Sequence, residues 1–335
     1  SMDRSAANLT AVTTNLKPSL TLLADVVRNP AFADGEVERL RAQRLSAIAS
    51  ERTSPNAIAV RALPPLLYGA DSPYGRPSNG TGDETSIAAL TRADIVSEHQ
   101  TWVRPDNATI FVVSDLPLSE LTPDLEAAFG DWRAPSAARG TKTFGPAATP
   151  GTSRIVLIDR PQSPQSLIYG GVVLPMTGTD DLLALNTANS ILGTDFLSRI
   201  NADLRETKGW SYGVRGTVSQ MEHQVPYLIN APVQANRTGE SITALMQQYD
   251  SFLTTNGVTA PELEKTLNGN TRSLAGSFES SAQLLGALRS NALYGRPDDH
   301  YATLASRTRS LTAADLDTAA RAAIRPDGIV WVVVG

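Results

Sequence analysis

Residues 194–216 read TDFLSRINADLRETKGWSYGVRG, and the fold of the C-terminal half turns on how this stretch is parsed. Thr194 and Asp195 offer an N-cap, and Phe196, Ile200 and Leu204 recur at helical spacing, which predicts a short amphipathic helix ending near Arg205. Gly209 stops it. From Trp210 the pattern alternates, placing Trp210, Tyr212 and Val214 on one side of a predicted strand and Ser211, Gly213 and Arg215 on the other. Arg205 thus closes the helix and Tyr212 opens the strand. A guanidinium and a phenol at such a corner can reach one cleft and donate hydrogen bonds to a peptide carbonyl or an oxyanion. Equally, Arg205 can satisfy carbonyls at the helix C-terminus while Tyr212 fills a core.

Working outward, 335 residues suffice for two domains, each with its own core. Hydrophobic residues at 41% and charged residues at 19% place the chain among globular proteins. A net charge of −5 argues against a phosphate-binding surface, so nucleic acid is not an expected partner. Cysteine is absent, which excludes disulfides, thiolate zinc sites and cysteine nucleophiles. No apolar run reaches 18 residues and the N-terminus SMDRSAANLT lacks basic and apolar leader regions, so neither a membrane span nor a signal peptide is expected. Ser1-Met2 reads as the scar of a cleaved tag, with any native targeting segment removed.

Helices are predicted over 16–27, 34–52, 58–68, 91–102 and 121–132. In the second, Val37, Leu40, Leu45 and Ile48 form the expected buried set. Arg104-Pro105-Asp106-Asn107 is a turn feeding ATIFVVS (108–114), whose β-branched and aromatic residues mark a strand. Residues 133–153, rich in Pro and Gly with no acidic residue, read as an interdomain linker. Strands follow at 155–158, 167–174, 227–233 and 331–335, and helices at 182–192, 239–253 and 260–290.

The chain also repeats itself. Leu90-Thr91-Arg92-Ala93-Asp94-Ile95 recurs as Leu311-Thr312-Ala313-Ala314-Asp315-Leu316, and Arg104-Pro105-Asp106 as Arg325-Pro326-Asp327, both offset by 221 positions. Tyr74-Gly75-Arg76-Pro77 recurs as Tyr294-Gly295-Arg296-Pro297. Equal spacing of helix, turn and strand signals predicts that the two copies superimpose, with the strand at Ile110 matching that at Trp331. A period near 220 leaves one full repeat and only the back of another, so the first copy is expected to begin in its middle.

The stretch from Leu192 to Val214 resembles the signature of the second domain in each half of the pitrilysin/insulinase-type (inverzincin) metallopeptidases, which include mitochondrial processing peptidase. The resemblance implies an α+β fold of two similar domains in tandem, each a sheet with helices on one face. Residues 1–132 would be the rear of the first, 133–153 the linker and 154–335 the second. It also implies that Arg205 and Tyr212 bind substrate backbone beside the zinc of a catalytic half. The metal belongs to that partner: the family's H-x-x-E-H would require His at 95 and 219, which are Ile95 and Ser219, and the distant Glu ligand aligns with Ala47. His99 is expected on the exposed side of a helix and His223 in a turn between strands. No nucleophile elbow, phosphate loop or dinucleotide fingerprint appears.

These features predict a non-catalytic half of a zinc peptidase, inactive alone and without a cofactor of its own, whose partners are a zinc-bearing half and a peptide. A proteolytically silent assembly subunit, or a truncated catalytic half with its zinc motif upstream of Ser1, are the alternatives. The family's secreted members suggest a bacterial periplasmic setting.

Overall fold

The computed structural model of the protein describes residues 2–145 and 152–335. Its order is α1 (Leu16–Arg28), α2 (Asp34–Glu51), α3 (Pro55–Tyr68), α4 (Glu84–Ala89), α5 (Arg92–Trp102), α6 (Leu118–Phe129), β1 (Arg154–Ile158), β2 (Gln165–Val173), α7 (Leu183–Asn189) and α8 (Arg199–Asn201). Then come β3 (Arg215–Val218), β4 (Pro226–Gln234), α9 (Thr238–Leu253), α10 (Ala260–Gly276), α11 (Ser281–Leu293), α12 (His300–Ser310), α13 (Ala313–Ala323) and β5 (Val330–Val334). The fold is α+β, and among the described residues no helix is long and apolar enough to cross a membrane.

The strands form one mixed sheet in the order β1-β5-β2-β4-β3, with β1 and β5 parallel and the other pairs antiparallel. Strand β5 reads VWVVV and is buried along its whole length, as befits a central strand covered on both faces. Trp331 and Val333 point into the larger core with Leu185, Ala188, Tyr249, Leu316 and Ala320. Val330, Val332 and Val334 face the other way, against Ala59, Leu63 and Leu67 of α3. Gly170 and Gly171 of β2 lack side chains where the neighbours come closest: a Cβ would lie 2.7 Å from the Trp331 ring at Gly170, and 2.9 Å from Leu63 at Gly171.

That second layer divides the chain in a way the 132/133 boundary does not capture. One compact unit comprises residues 3–50 and 81–143, and the other residues 51–80 and 144–335. Helix α3 belongs with the C-terminal sheet because its Ala59-Leu63-Leu67 stripe is what buries the far face of β2 and β5. It stays helical through Pro64-Pro65, and Ser54 caps it by accepting from Ala57 N. Of the expected linker, residues 146–151 lie outside the described residues, and Phe144 stacks on His223 with ring centroids 3.9 Å apart.

In the N-terminal unit α1 and α6 meet through Leu20, Ala24 and Ala128. Helix α2 ends one residue short of the predicted range, and of its expected buried set only Ile48 is buried while Leu40 is 52% exposed. The repeat holds for its helix and turn. Helices α5 and α13 are both 11 residues long, each opened by a Thr-Asp capping box, and each leads to a 3₁₀ turn beginning at the Arg-Pro-Asp proline. It does not hold for the strand. Residues 108–114 form no ladder, and Ile110 is 51% exposed, because no described segment pairs with them as β1 and β2 pair with β5.

Leu63 is 1% exposed and fills the space above the β2 glycines. Leu63→Ala is expected to lower unfolding stability by about 2–5 kcal/mol, the cost of a buried leucine cavity. Urea unfolding checks this; a loss under about 1 kcal/mol would mean α3 is not integral to the C-terminal unit.

Candidate functional site

The 194–216 stretch folds somewhat differently from its periodicity. The chain leaves α7 through a π-helical turn over Ser190–Thr194, makes a tight turn in which Ser198 N bonds Asp195 O at 2.9 Å, and starts α8 only at Arg199. Phe196 is therefore not on the helix and is 63% exposed, whereas Ile200 and Leu204 are fully buried. Helix α8 continues as a second π-helical turn, Ala202–Thr207, which carries Arg205. Such turns interrupt regular helices often at functional sites. Gly209 ends it in the left-handed region (φ +66°).

The predicted strand from Trp210 is instead a pinned loop, with β3 beginning at Arg215. Its main chain is committed elsewhere: Trp210 N donates to Leu204 O (2.9 Å), Gln234 N to Trp210 O (2.9 Å), and Val214 N to the Asn201 Oδ1 (2.8 Å). The Ser211 hydroxyl donates to Pro232 O at 2.5 Å and accepts from Gly213 N at 3.1 Å. These bonds hold Tyr212 at the loop's outer surface, 88% exposed, so it is not the core residue that the packing alternative requires.

Arg199 and Arg205, two of the three arginines of the stretch, have opposite fates. Arg199 pairs with both carboxylate oxygens of Glu262 (Nε to Oε1 2.8 Å, Nη2 to Oε2 2.7 Å), donates to Asn256 O and to Gly257 O (2.8 Å), and covers the Phe252 ring at 4.8 Å. It anchors α8 to the start of α10, where Glu262 also closes the Thr259 capping box. Arg205 makes no such commitment. Its guanidinium lies over the Phe196 ring at 4.2 Å and 3.3 Å from the Glu206 carboxylate, with its side chain one-third exposed. Among the described residues it donates to no helix-end carbonyl.

Two features beneath the site escaped the sequence reading. Asn189 donates to Thr194 Oγ1 (2.7 Å) and Gly216 O (3.0 Å), and accepts from the Tyr227 hydroxyl (2.9 Å), which contacts the Tyr249 hydroxyl at 3.1 Å. Burial pushes both tyrosine pKa values well up, so both stay neutral and serve as hydrogen-bonding struts. A Cβ at Gly216 would sit 2.1 Å from the Tyr227 oxygen, which explains that glycine. Asn201, 4% exposed, is the second; an asparagine inside an apolar helix pattern was the signal available.

The described residues do not fit a zinc site. No group of three or more His, Asp or Glu is placed to hold a metal ion. His99 is not simply solvated: its Nε2 lies 2.8 Å from Val27 O and its ring meets Phe32 edge-on. His223 lies in the turn between β3 and β4, stacked on Phe144.

The peptidase M16 inactive domain family matches residues 89–270. An uncharacterized zinc protease of Mycobacterium tuberculosis is 28% identical over 204 residues, covering 60% of this chain and 45% of that protein. The uncharacterized zinc protease YmxG of Bacillus subtilis is 25% identical over 263 residues, covering 78% of this chain and 62% of the relative. The chain thus spans about half the length of the mycobacterial relative it matches. Among solved structures, a peptidase M16 inactive domain from Pseudomonas fluorescens superimposes with a TM-score of 0.87 at 26% identity, over 97% of this chain and 76% of that one. A protease from Helicobacter pylori shares the fold at 17% identity with a TM-score of 0.85, over 97% and 77% of the respective chains.

Burial raises the Glu262 pKa, but hydrogen bonds from Arg199 and Thr259 outweigh it and take the group from 4.5 to about 2. A depressed pKa contributes stability that is present above the unfolded value and lost as pH falls toward 2. Glu262→Gln is therefore expected to be less stable than the parent at pH 7, with the gap closing between about pH 4.5 and pH 2. Thermal melts across that range check it; a pH-independent gap would contradict the ion pair's role.

By the match over residues 89–270 and by its fold, the chain belongs to the peptidase M16 family as a non-catalytic, inactive-domain half of a peptidase-like protein.

Proposed function

We propose that this chain closes against a zinc-bearing half of the same family and supplies Arg205 and Tyr212 to hold a peptide across the zinc centre. The observation that carries this reading is the contrast within one short stretch: Arg199 is consumed by the fold, while Tyr212 is exposed on a pinned loop and Arg205, one-third exposed, leans only on Phe196 and Glu206. A guanidinium and a phenol are donors suited to a peptide carbonyl or the oxyanion that develops from it. Holding them on tied-down backbone lowers the reorganisation needed when substrate binds. The bond-breaking water and its activation are assigned to the partner half's zinc, and no step of hydrolysis is assigned to residues of this chain. E. coli PqqL, a periplasmic protease with the same fold over 97% of this chain, is covered over only 35% of its own length, which leaves room for a further half in that protein.

In the assembled peptidase, Arg205→Ala and Tyr212→Phe are each expected to lower kcat/KM by about ten- to a thousandfold, the scale of one preorganised donor. Assembly and thermal stability should be nearly unchanged, since neither side chain is buried. Normal turnover in a folded Tyr212→Phe variant would remove the hydroxyl from the mechanism.

A further inference from the structure

We propose that Asn201 is the positioning residue of this peptide site, its buried carboxamide tying the loop under Arg205 to the segment behind Tyr212. The inference rests on the reading of Arg205 and Tyr212 as peptide-binding groups. Asn201 lies on α8 between Ile200 and Leu204, in a helix whose neighbouring inward side chains are apolar and fully buried. A leucine or phenylalanine there would serve packing, while a buried carboxamide costs stability unless both its ends are bonded. Both are. Its Oδ1 accepts from Val214 N at 2.8 Å and its Nδ2 donates to Phe196 O at 2.6 Å. The amide orientation is forced, because an N–H can only donate and a carbonyl can only accept.

Neither partner belongs to the helix of Asn201. Phe196 is the ring over which the Arg205 guanidinium lies at 4.2 Å, and Val214 follows Tyr212 by two residues, just ahead of β3. One side chain therefore sets both arms of the site. The other pins of the loop, Trp210 to Leu204 and Ser211 to Pro232, do not reach Phe196. Removing the carboxamide leaves the loop attached but frees Phe196 and Val214 together.

The test is a double-mutant cycle in the assembled peptidase, scored per folded molecule. Asn201→Ala is expected to lower kcat/KM by about ten- to a hundredfold through misplacement of the donors. Combined with Tyr212→Phe it should add much less than the product of the two single effects, because the hydroxyl it positions is gone. Asn201→Asp keeps an acceptor for Val214 N–H and loses the donor to Phe196 O. It should therefore couple to Arg205→Ala and leave the contribution of Tyr212 intact. Hydrogen exchange in this chain alone supplies a readout independent of turnover: the Val214 amide should exchange faster in Asn201→Ala and near the parent rate in Asn201→Asp. Multiplicative effects in both cycles, or unchanged turnover in Asn201→Ala, would overturn the positioning role while leaving Arg205 and Tyr212 in place. Normal turnover in both Arg205→Ala and Tyr212→Phe would overturn the underlying reading as well.

Discussion

Strand β5 is bonded along both edges and buried on both faces, and the organisation of the C-terminal unit follows from that constraint. A strand so placed needs two apolar layers. One is made by α7, α9 and α13, all of which precede it within the same half of the chain. The other is supplied by α3, nearly a hundred residues before β1, through a leucine and alanine stripe. Beyond β2 the sheet ends in the β4–β3 pair, and the 208–214 loop is tied to β4 through Gln234 and Pro232. The exposed tyrosine thus sits in a loop hydrogen-bonded to β4 of this sheet.

Much of this was legible in the sequence because it depends on local rules. The Thr-Asp boxes at 91 and 312 cap helices of equal length, and the Arg-Pro-Asp turns recur in place, since capping and turn chemistry need only the residues present. What was not legible depends on partners. Residues 108–114 have the composition of β5 but not its neighbours, so a strand signal yields an extended segment without a ladder. Residues 210–214 alternate like a strand, yet their N–H and C=O groups are drawn off by Leu204, Asn201 and Gln234 before a ladder can start. The same competition moved Phe196 off the helix that its spacing with Ile200 and Leu204 predicted. Helix α3 likewise looks amphipathic in isolation, and nothing in its own residues says which sheet it covers.

Arg199 and Arg205 meet different surroundings within one short stretch. Arg199 faces a carboxylate, two carbonyls and an aromatic ring, a set that leaves little of its guanidinium for a ligand. Arg205, set on a π-helical turn, leans on an exposed phenylalanine and one neighbouring carboxylate. The family resemblance singled out Arg205 and Tyr212 as substrate-binding groups, and the geometry leaves them less committed to the fold than Arg199.

Completion of a peptide-binding chamber whose zinc lies in another half is the role proposed for this chain. It is tested most directly by titrating the chain into a separately purified H-x-x-E-H-bearing half from the same genome and following hydrolysis of an unstructured peptide. Activity is expected to be low for either component alone and to rise with added chain to a plateau at one equivalent. Full hydrolysis by the zinc-bearing half alone, or no rise on adding this chain, would contradict the account.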